Sequence, residues 1–180
     1  MWLTFIAVVI VSFASLIFMR PVAEKIGLVD KPNFRKRHQG LIPLIGGIAL
    51  FLGNLTFYAF QYDTMPLPGL YLLSVTILLI IGVLDDRFDI SPALRAGIQA
   101  VLAGAMIYSG LELESLGQII APFSIKLGFF SLLFTVFITI GVINAFNMVD
   151  GIDGLLAGLS SVSFAGIGVL MWINGEHAIA

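Results

Sequence analysis

Residues 127–155, LGFFSLLFTVFITIGVINAFNMVDGIDGL, decide the fold. No charge interrupts the run from Leu127 to Val149, yet Asn144 and Asn147 enter it before it ends, and Asp150 and Asp153 follow at once. About 20 apolar residues suffice for a helix to cross a bilayer, so the run reads as a membrane helix. A charge at bilayer depth costs several kcal/mol by most estimates, so the polar groups mark where the helix leaves the lipid, and they need a reason to be there. They recur at every third residue, and each step slips about 60° around a helix of 3.6 residues per turn, so all four cannot converge on one continuous helix. Gly151 and Gly154 supply a break, because glycine permits the turn that ends one helix and starts the next. The new helix start would expose backbone amides able to hold a phosphate. Ordinary end-capping of the two helices is the plainer alternative, but it leaves Asn144 and Asn147 without a purpose.

Working outward, the composition agrees. The 180 residues are 59% hydrophobic and 11% charged, with mean hydropathy +1.05. Soluble domains carry about 25% charged residues, so that class is excluded. The absence of cysteine removes disulfides, thiolate catalysis and cysteine metal sites, leaving oxygen atoms and two histidines as the metal ligands on offer. The net charge of −2 says nothing about partners until the charges are placed along the chain; membrane lipid is the expected surroundings, nucleic acid is not an expected partner, and a homo-oligomer is left open.

Six uncharged or nearly uncharged stretches are expected to span: Trp2–Met19, Leu41–Tyr62, Thr64–Leu84, Ile90–Leu111 with Arg95 as its interruption, Leu127–Val149 and Gly154–Gly175. The first lacks the basic start and small-residue cleavage site of a signal peptide and reads as retained. Of the nine lysines and arginines, six lie at positions 20–37, Arg87 and Arg95 flank the loop after the third span, and Lys126 stands apart. Basic residues in short loops stay on the cytoplasmic side, so the N-terminus is expected in the periplasm and the segments 20–40, 85–95 and 147–153 on one cytoplasmic face. The expected fold is all-α, a polytopic integral membrane helix bundle in one domain, residues 1–180. Residues 174–180, NGEHAIA, read as an external turn and the start of another apolar segment, which fits part of a longer protein as well as a complete six-span bundle. Neither the 62–69 hairpin nor the 112–126 connection, with its apolar IIAPFSI, carries recognisable chemistry.

Two further clusters fall on the expected cytoplasmic face. In DDRFDIS, Asp85–Ser91, a helical reading makes Asp89 a neighbour of both Asp85 and Asp86 while those two diverge by roughly 100°, which predicts different tasks for the pair. Three carboxylates beside one arginine repel one another unless a cation joins them, and hard oxygen donors favour Mg²⁺ or Mn²⁺. The bland alternative is a solvated stop for the third span, with Ser91 as N-cap and Pro92 as first residue of the fourth. In KPNFRKRHQGLIPLIGG, Lys31–Gly47, the charge alone fits anchoring to anionic lipid; the functional reading is capture of a phosphorylated substrate, with Arg37 and His38 as contacts. Gly46 and Gly47 are expected to allow close helix packing. Acidic residues repel a polyanion and basic ones attract it, and a divalent metal bridging phosphate oxygens reconciles the two. Chemistry on a diphosphate at the membrane surface follows.

LVDKPNFRKRHQGLIPLIGG, DDRFDIS and NAFNMVDGIDGL together resemble the polyprenyl-phosphate hexosamine-1-phosphate transferases of glycosyltransferase 4 type, in the branch acting with GlcNAc, from about Gly27 through the sixth span. The resemblance implies that the phosphate of undecaprenyl phosphate attacks the β-phosphorus of UDP-GlcNAc, releasing UMP and leaving GlcNAc-diphosphoundecaprenol, with Mg²⁺ or Mn²⁺ as cofactor. It implies a multi-pass enzyme of the bacterial inner membrane with a cytoplasmic active face, making the first lipid-linked intermediate of O-antigen and related surface glycans. Asp85 and Asp86 match the family's catalytic aspartates. Asp86 and Asn147 match metal contacts, and Asn144, Asp150 and Asp153 fall on substrate-side positions, the last two in the loop that meets the nucleotide. Asp89 matches a further acidic residue of this branch, on the substrate side.

Family members have ten or eleven spans and about twice this length, with a metal-binding aspartate and a histidine-rich loop in their later half. This chain is therefore expected to hold half an active site and to be inactive alone. Two rival readings come from other classes. DDRFD also satisfies the DDxxD pattern of prenyl-diphosphate enzymes, though these want a second aspartate cluster of the same kind. A transporter or scaffold would place its broken helices near the midplane rather than at span ends.

Overall fold

The structure, a computed structural model, describes residues 2–30, 41–64, 67–117, 123–149 and 154–175. Its contacts divide the chain into two compact units, Met1–Leu111 and Glu112–Ala180. The first contains α1 (Trp2–Ile26), β1 (Val29–Asp30), β2 (Ile42–Pro43), α2 (Gly46–Gln61), α3 (Pro68–Phe88) and α4 (Pro92–Tyr108); the second contains α5 (Ser131–Val149) and α6 (Leu155–Ile173). Each expected span holds a helix, with shifted ends. Among the described residues, four helices are long and apolar enough to cross a membrane: α1, α3, α5 with its preceding turn, and α6. At 1.5 Å rise per residue, α2 and α4 reach only about 24–26 Å, short of the ~30 Å hydrocarbon core. Large apolar side chains face outward throughout, among them Trp2, Leu50, Val101, Phe137 and Val162.

The first helix runs past Met19 and through Pro21 to Ile26. Pro21 forfeits one backbone hydrogen bond, but burial of Ala23 against Leu28 and Ile45 holds the helix beyond it. Gly27, at φ +73°, then ends it, and the Leu28 N–H donates to the Ala23 carbonyl at 2.9 Å, the six-to-one bond of a Schellman motif. Leu28 is 1% exposed, and its carbonyl accepts from the Leu44 N–H at 3.1 Å. β1 and β2 pair antiparallel, Val29 opposite Pro43 and Asp30 opposite Ile42. β2 occupies residues expected to be helical, which is why α2 starts at Gly46 rather than at Leu41.

Gly46 and Gly47 do not make the close approach expected of them: a Cβ on Gly46 would meet nothing, and one on Gly47 only Leu79 Cδ1 at 3.9 Å. That approach occurs at Gly53, where a Cβ would collide with the Ser12 hydroxyl and touch Val8 Cγ1 at 3.5 Å. Small residues let membrane helices pack closely in this way, and here they join α1 to α2. Asn54 Nδ2 donates to the Tyr71 hydroxyl and links α2 to α3.

In the second unit the chain before α5 folds back on itself. Ser115 and Lys126 bridge antiparallel, and Leu127 N–H donates to the Glu114 carbonyl at 2.9 Å. The Ser131 hydroxyl donates to the Leu113 carbonyl at 2.7 Å, while the Leu113 N–H donates to Thr135 Oγ1 at 2.9 Å. Two hydroxyls in the first turns of α5 thus satisfy both backbone groups of Leu113 and tie the preceding segment to the helix.

Candidate functional site

The aspartate cluster sits where α3 ends. Asp85 and Asp86 occupy its last turn, and consecutive helical residues point roughly 100° apart. The Asp85 carboxylate accepts from Arg95 Nη1, one turn into α4, and the two side chains are 20% and 23% exposed. Asp86 is exposed. The pairing expected between Asp89 and its helical neighbours needs correction. Asp89 caps the helix at φ +53°, its backbone N–H donating to the Asp85 carbonyl at 2.8 Å, so it has left the helical array. Aspartate reaches the left-handed region more readily than bulkier residues, which lets α3 stop there. Ser91 and Pro92 then start α4 as cap and first residue; the Ser91 hydroxyl accepts from Leu94 N–H at 3.4 Å.

Sequence reasoning missed two arginines. Arg95 was an interruption in an apolar span, yet it is the counter-charge of Asp85. Its signal was available, since it is the only charged residue in α4 and it stands one turn from the acidic loop. Arg87 donates through Nη1 to the carbonyl of Ile26 at the end of α1, and its guanidinium lies 5.5 Å from the Phe88 ring centroid. Its partner is a main-chain group 61 positions away, so no local pattern could have shown the contact.

In the second unit, the half-buried Asn144 donates through Nδ2 to the Ile140 carbonyl at 2.8 Å, so part of its polarity is satisfied within α5. Asn147 is exposed on the last turn of that helix. α5 is described as far as Val149 and α6 from Leu155, with Gly154 at φ +74° as the residue before α6. Asp150, Asp153, Arg37 and His38 lie outside the described residues.

The carboxylate and amide oxygens of Asp86 and Asn147 are hard donors of the kind Mg²⁺ and Mn²⁺ take. Among the described residues, however, no three His, Cys, Asp or Glu side chains come together as a metal site. Asp85, Asp86 and Asp89 are close in sequence but do not form one, because Asp85 turns to Arg95 and Asp89 leaves the helix.

Residues 69–180, which include the aspartate pair and the NAFNMVDGIDGL stretch, match the family described as Glycosyl transferase family 4. The chain belongs to that family. It is 62% identical over 181 residues to an undecaprenyl-phosphate alpha-N-acetylglucosaminyl 1-phosphate transferase of Pasteurella multocida, covering 100% of this chain and 51% of the relative. The protein so named in Haemophilus influenzae is 60% identical over 170 residues, 94% of this chain and 48% of that one. In Escherichia coli K12 the identity is 52% over 166 residues, 92% and 45% of the two chains. The chain thus spans about half the length of the curated relatives it matches. No solved structure matches it. As a member of glycosyl transferase family 4 with four helices of membrane length, it is a transferase-family membrane chain whose acidic pair stands at a helix end.

Proposed function

We propose that this chain supplies the aspartate-bearing part of an enzyme that transfers GlcNAc-1-phosphate from UDP-GlcNAc to undecaprenyl phosphate. The observation that carries the reading is the Asp85–Asp86 pair in the last turn of a membrane-length helix, with Asp85 tied to Arg95 and Asp86 exposed. A lipid phosphate anchored in the bilayer presents its head where such a helix leaves the lipid. An oxygen of that phosphate forms a bond to the β-phosphorus of UDP-GlcNAc, the bond from this phosphorus to the bridging oxygen breaks, and UMP leaves with that oxygen. Asp85 and Asp86 are the catalytic residues: one faces the acceptor phosphate, and the other, turned roughly 100° away, serves the metal side. The work of the remaining residues is positional, since phosphoryl transfer depends on holding acceptor and donor in line.

Arg37 and His38 are assigned to the phosphates of the substrates, and Asp89, Asn144, Asp150 and Asp153 to the substrate side of the pocket. The cofactor is Mg²⁺ or Mn²⁺, with Asp86 and Asn147 as its contacts; when bound, it neutralises phosphate oxygens. Six uncharged or nearly uncharged stretches support six spans in one domain, and the placement of lysine and arginine supports a periplasmic N-terminus and a cytoplasmic active face at the bacterial inner membrane. The product enters O-antigen and related surface glycans. A chain spanning half the length of its relatives is expected to insert but not to turn over by itself. The test is UMP release from UDP-GlcNAc by the longest form of the protein, supplied with undecaprenyl phosphate and Mg²⁺. Stabilisation by a prenyl diphosphate and not by UDP-GlcNAc, without UMP release, overturns the reading.

A further inference from the structure

The largest fully buried side chain among the described residues, Leu28, lies at the base of the β1–β2 hairpin, in a cluster with Ala23 and Ile45 against which Val83 of α3 packs. Val83 precedes Asp85 by two residues. One turn later along the same helix, Arg87 reaches across to the Ile26 carbonyl, which ends α1 immediately before that hairpin. The hairpin base is therefore gripped twice by the end of α3, once by apolar packing and once by a charge-assisted hydrogen bond. In sequence, the residues between β1 and β2 include Lys31, Arg35, Lys36 and Arg37. The described residues that flank this run in sequence are thus fastened to the helix end that bears the aspartates. Arg87 has no role in the reaction as written above, and a charged side chain directed at a main-chain carbonyl 61 positions away is an expensive choice for a mere surface residue.

We propose that Arg87 is a positioning residue for the transfer: through the Ile26 carbonyl it holds the Asp85–Asp86 turn at a set spacing from the hairpin base, between whose strands the basic run lies in sequence. This rests on the transferase reading, in which a polyanionic substrate must meet both signs of charge together. A loose spacing weakens substrate capture, because acceptor and donor are then held in many geometries rather than one.

The chain contains no cysteine, so a pair of introduced labels reports cleanly. Spin labels at Leu41→Cys, beside β2, and Leu84→Cys, on α3, give the distance between hairpin base and helix end, both positions being exposed. The expected result is one narrow distance distribution in the parent and in Arg87→Lys, which keeps charge and donor, and a broadened one in Arg87→Gln. In UMP release by the longest form, Arg87→Gln is expected to raise KM for UDP-GlcNAc about tenfold, the order of one lost charge-assisted hydrogen bond, with kcat changed far less. Arg87→Lys should restore most of that loss. A merely structural arginine would lower the amount of folded enzyme and leave KM unmoved. An unchanged distance distribution in Arg87→Gln, or a loss in kcat alone, overturns the proposal. A parent enzyme that releases no UMP overturns the transferase reading instead, and the distance measurement still decides whether Arg87 is a clamp.

Discussion

The ion pair between Asp85 and Arg95 joins α3 to α4 and can be weighed by a double-mutant cycle. The perturbations are Asp85→Asn, Arg95→Met and the two combined. Two unit charges about 4 Å apart attract by roughly 4 kcal/mol at an effective dielectric constant of 20. Each side chain remains about a fifth exposed, and both surrendered water on folding, so the net coupling falls to about 1–2 kcal/mol. Arg95→Met alone should cost about 2–3 kcal/mol, more than the coupling, because a mostly covered carboxylate loses its counter-charge. The double variant should lose less than the sum of the two single ones. Arg95 Nε is buried with no hydrogen-bond partner among the described residues, so Arg95→Lys keeps the charge while removing an orphaned donor, and its cost should stay within about 1 kcal/mol. The assay is reversible unfolding of the detergent-solubilised chain in mixed micelles of increasing denaturing detergent. Single-variant costs that add to within about 0.5 kcal/mol would show that the pair carries no coupling and that Asp85 is oriented by something else.

In the longest form of the enzyme, Asp85→Asn and Asp86→Asn should both cripple UMP release, with turnover partly recovered by raised Mg²⁺ or Mn²⁺ in the variant that has lost a metal contact and not in the other; full activity in either removes that residue from the mechanism. Gly53→Val should destabilise the α1–α2 contact by about 1–3 kcal/mol in the same micelle titration, because the Ser12 hydroxyl can rotate away but Val8 must also yield; a neutral result would mean that the two helices separate freely. Cysteines introduced at positions 36 and 87 should both react only from the cytoplasmic side in oriented vesicles, and labelling from opposite sides would undo the shared-face topology.

Legibility in the sequence followed the range of the forces involved. Helix location was readable because lipid demands apolar length, a property of neighbouring residues, and all six expected stretches contain helices. The Ser91–Pro92 start of α4 and the break before Leu155 were readable for the same reason, since caps and glycine turns act within a few residues. The aspartate pair was readable by its composition, and its divergent directions by helical period. Helix ends were less so: α1 continues through Pro21 because Ala23 is buried by Leu28 and Ile45, the latter 22 positions further on.

What the sequence by itself determined, then, is the class of molecule, the approximate position of each helix and the chemical character of the acidic and amide clusters, all consequences of local composition and period. What only the tertiary structure decided is which charges meet and which small residues touch. Arg95 answers Asp85, Arg87 answers the carbonyl of Ile26, and Gly53 rather than Gly46 or Gly47 admits a neighbouring helix. Each of these depends on how helices cross, and crossing is set by the packing of residues distant in sequence.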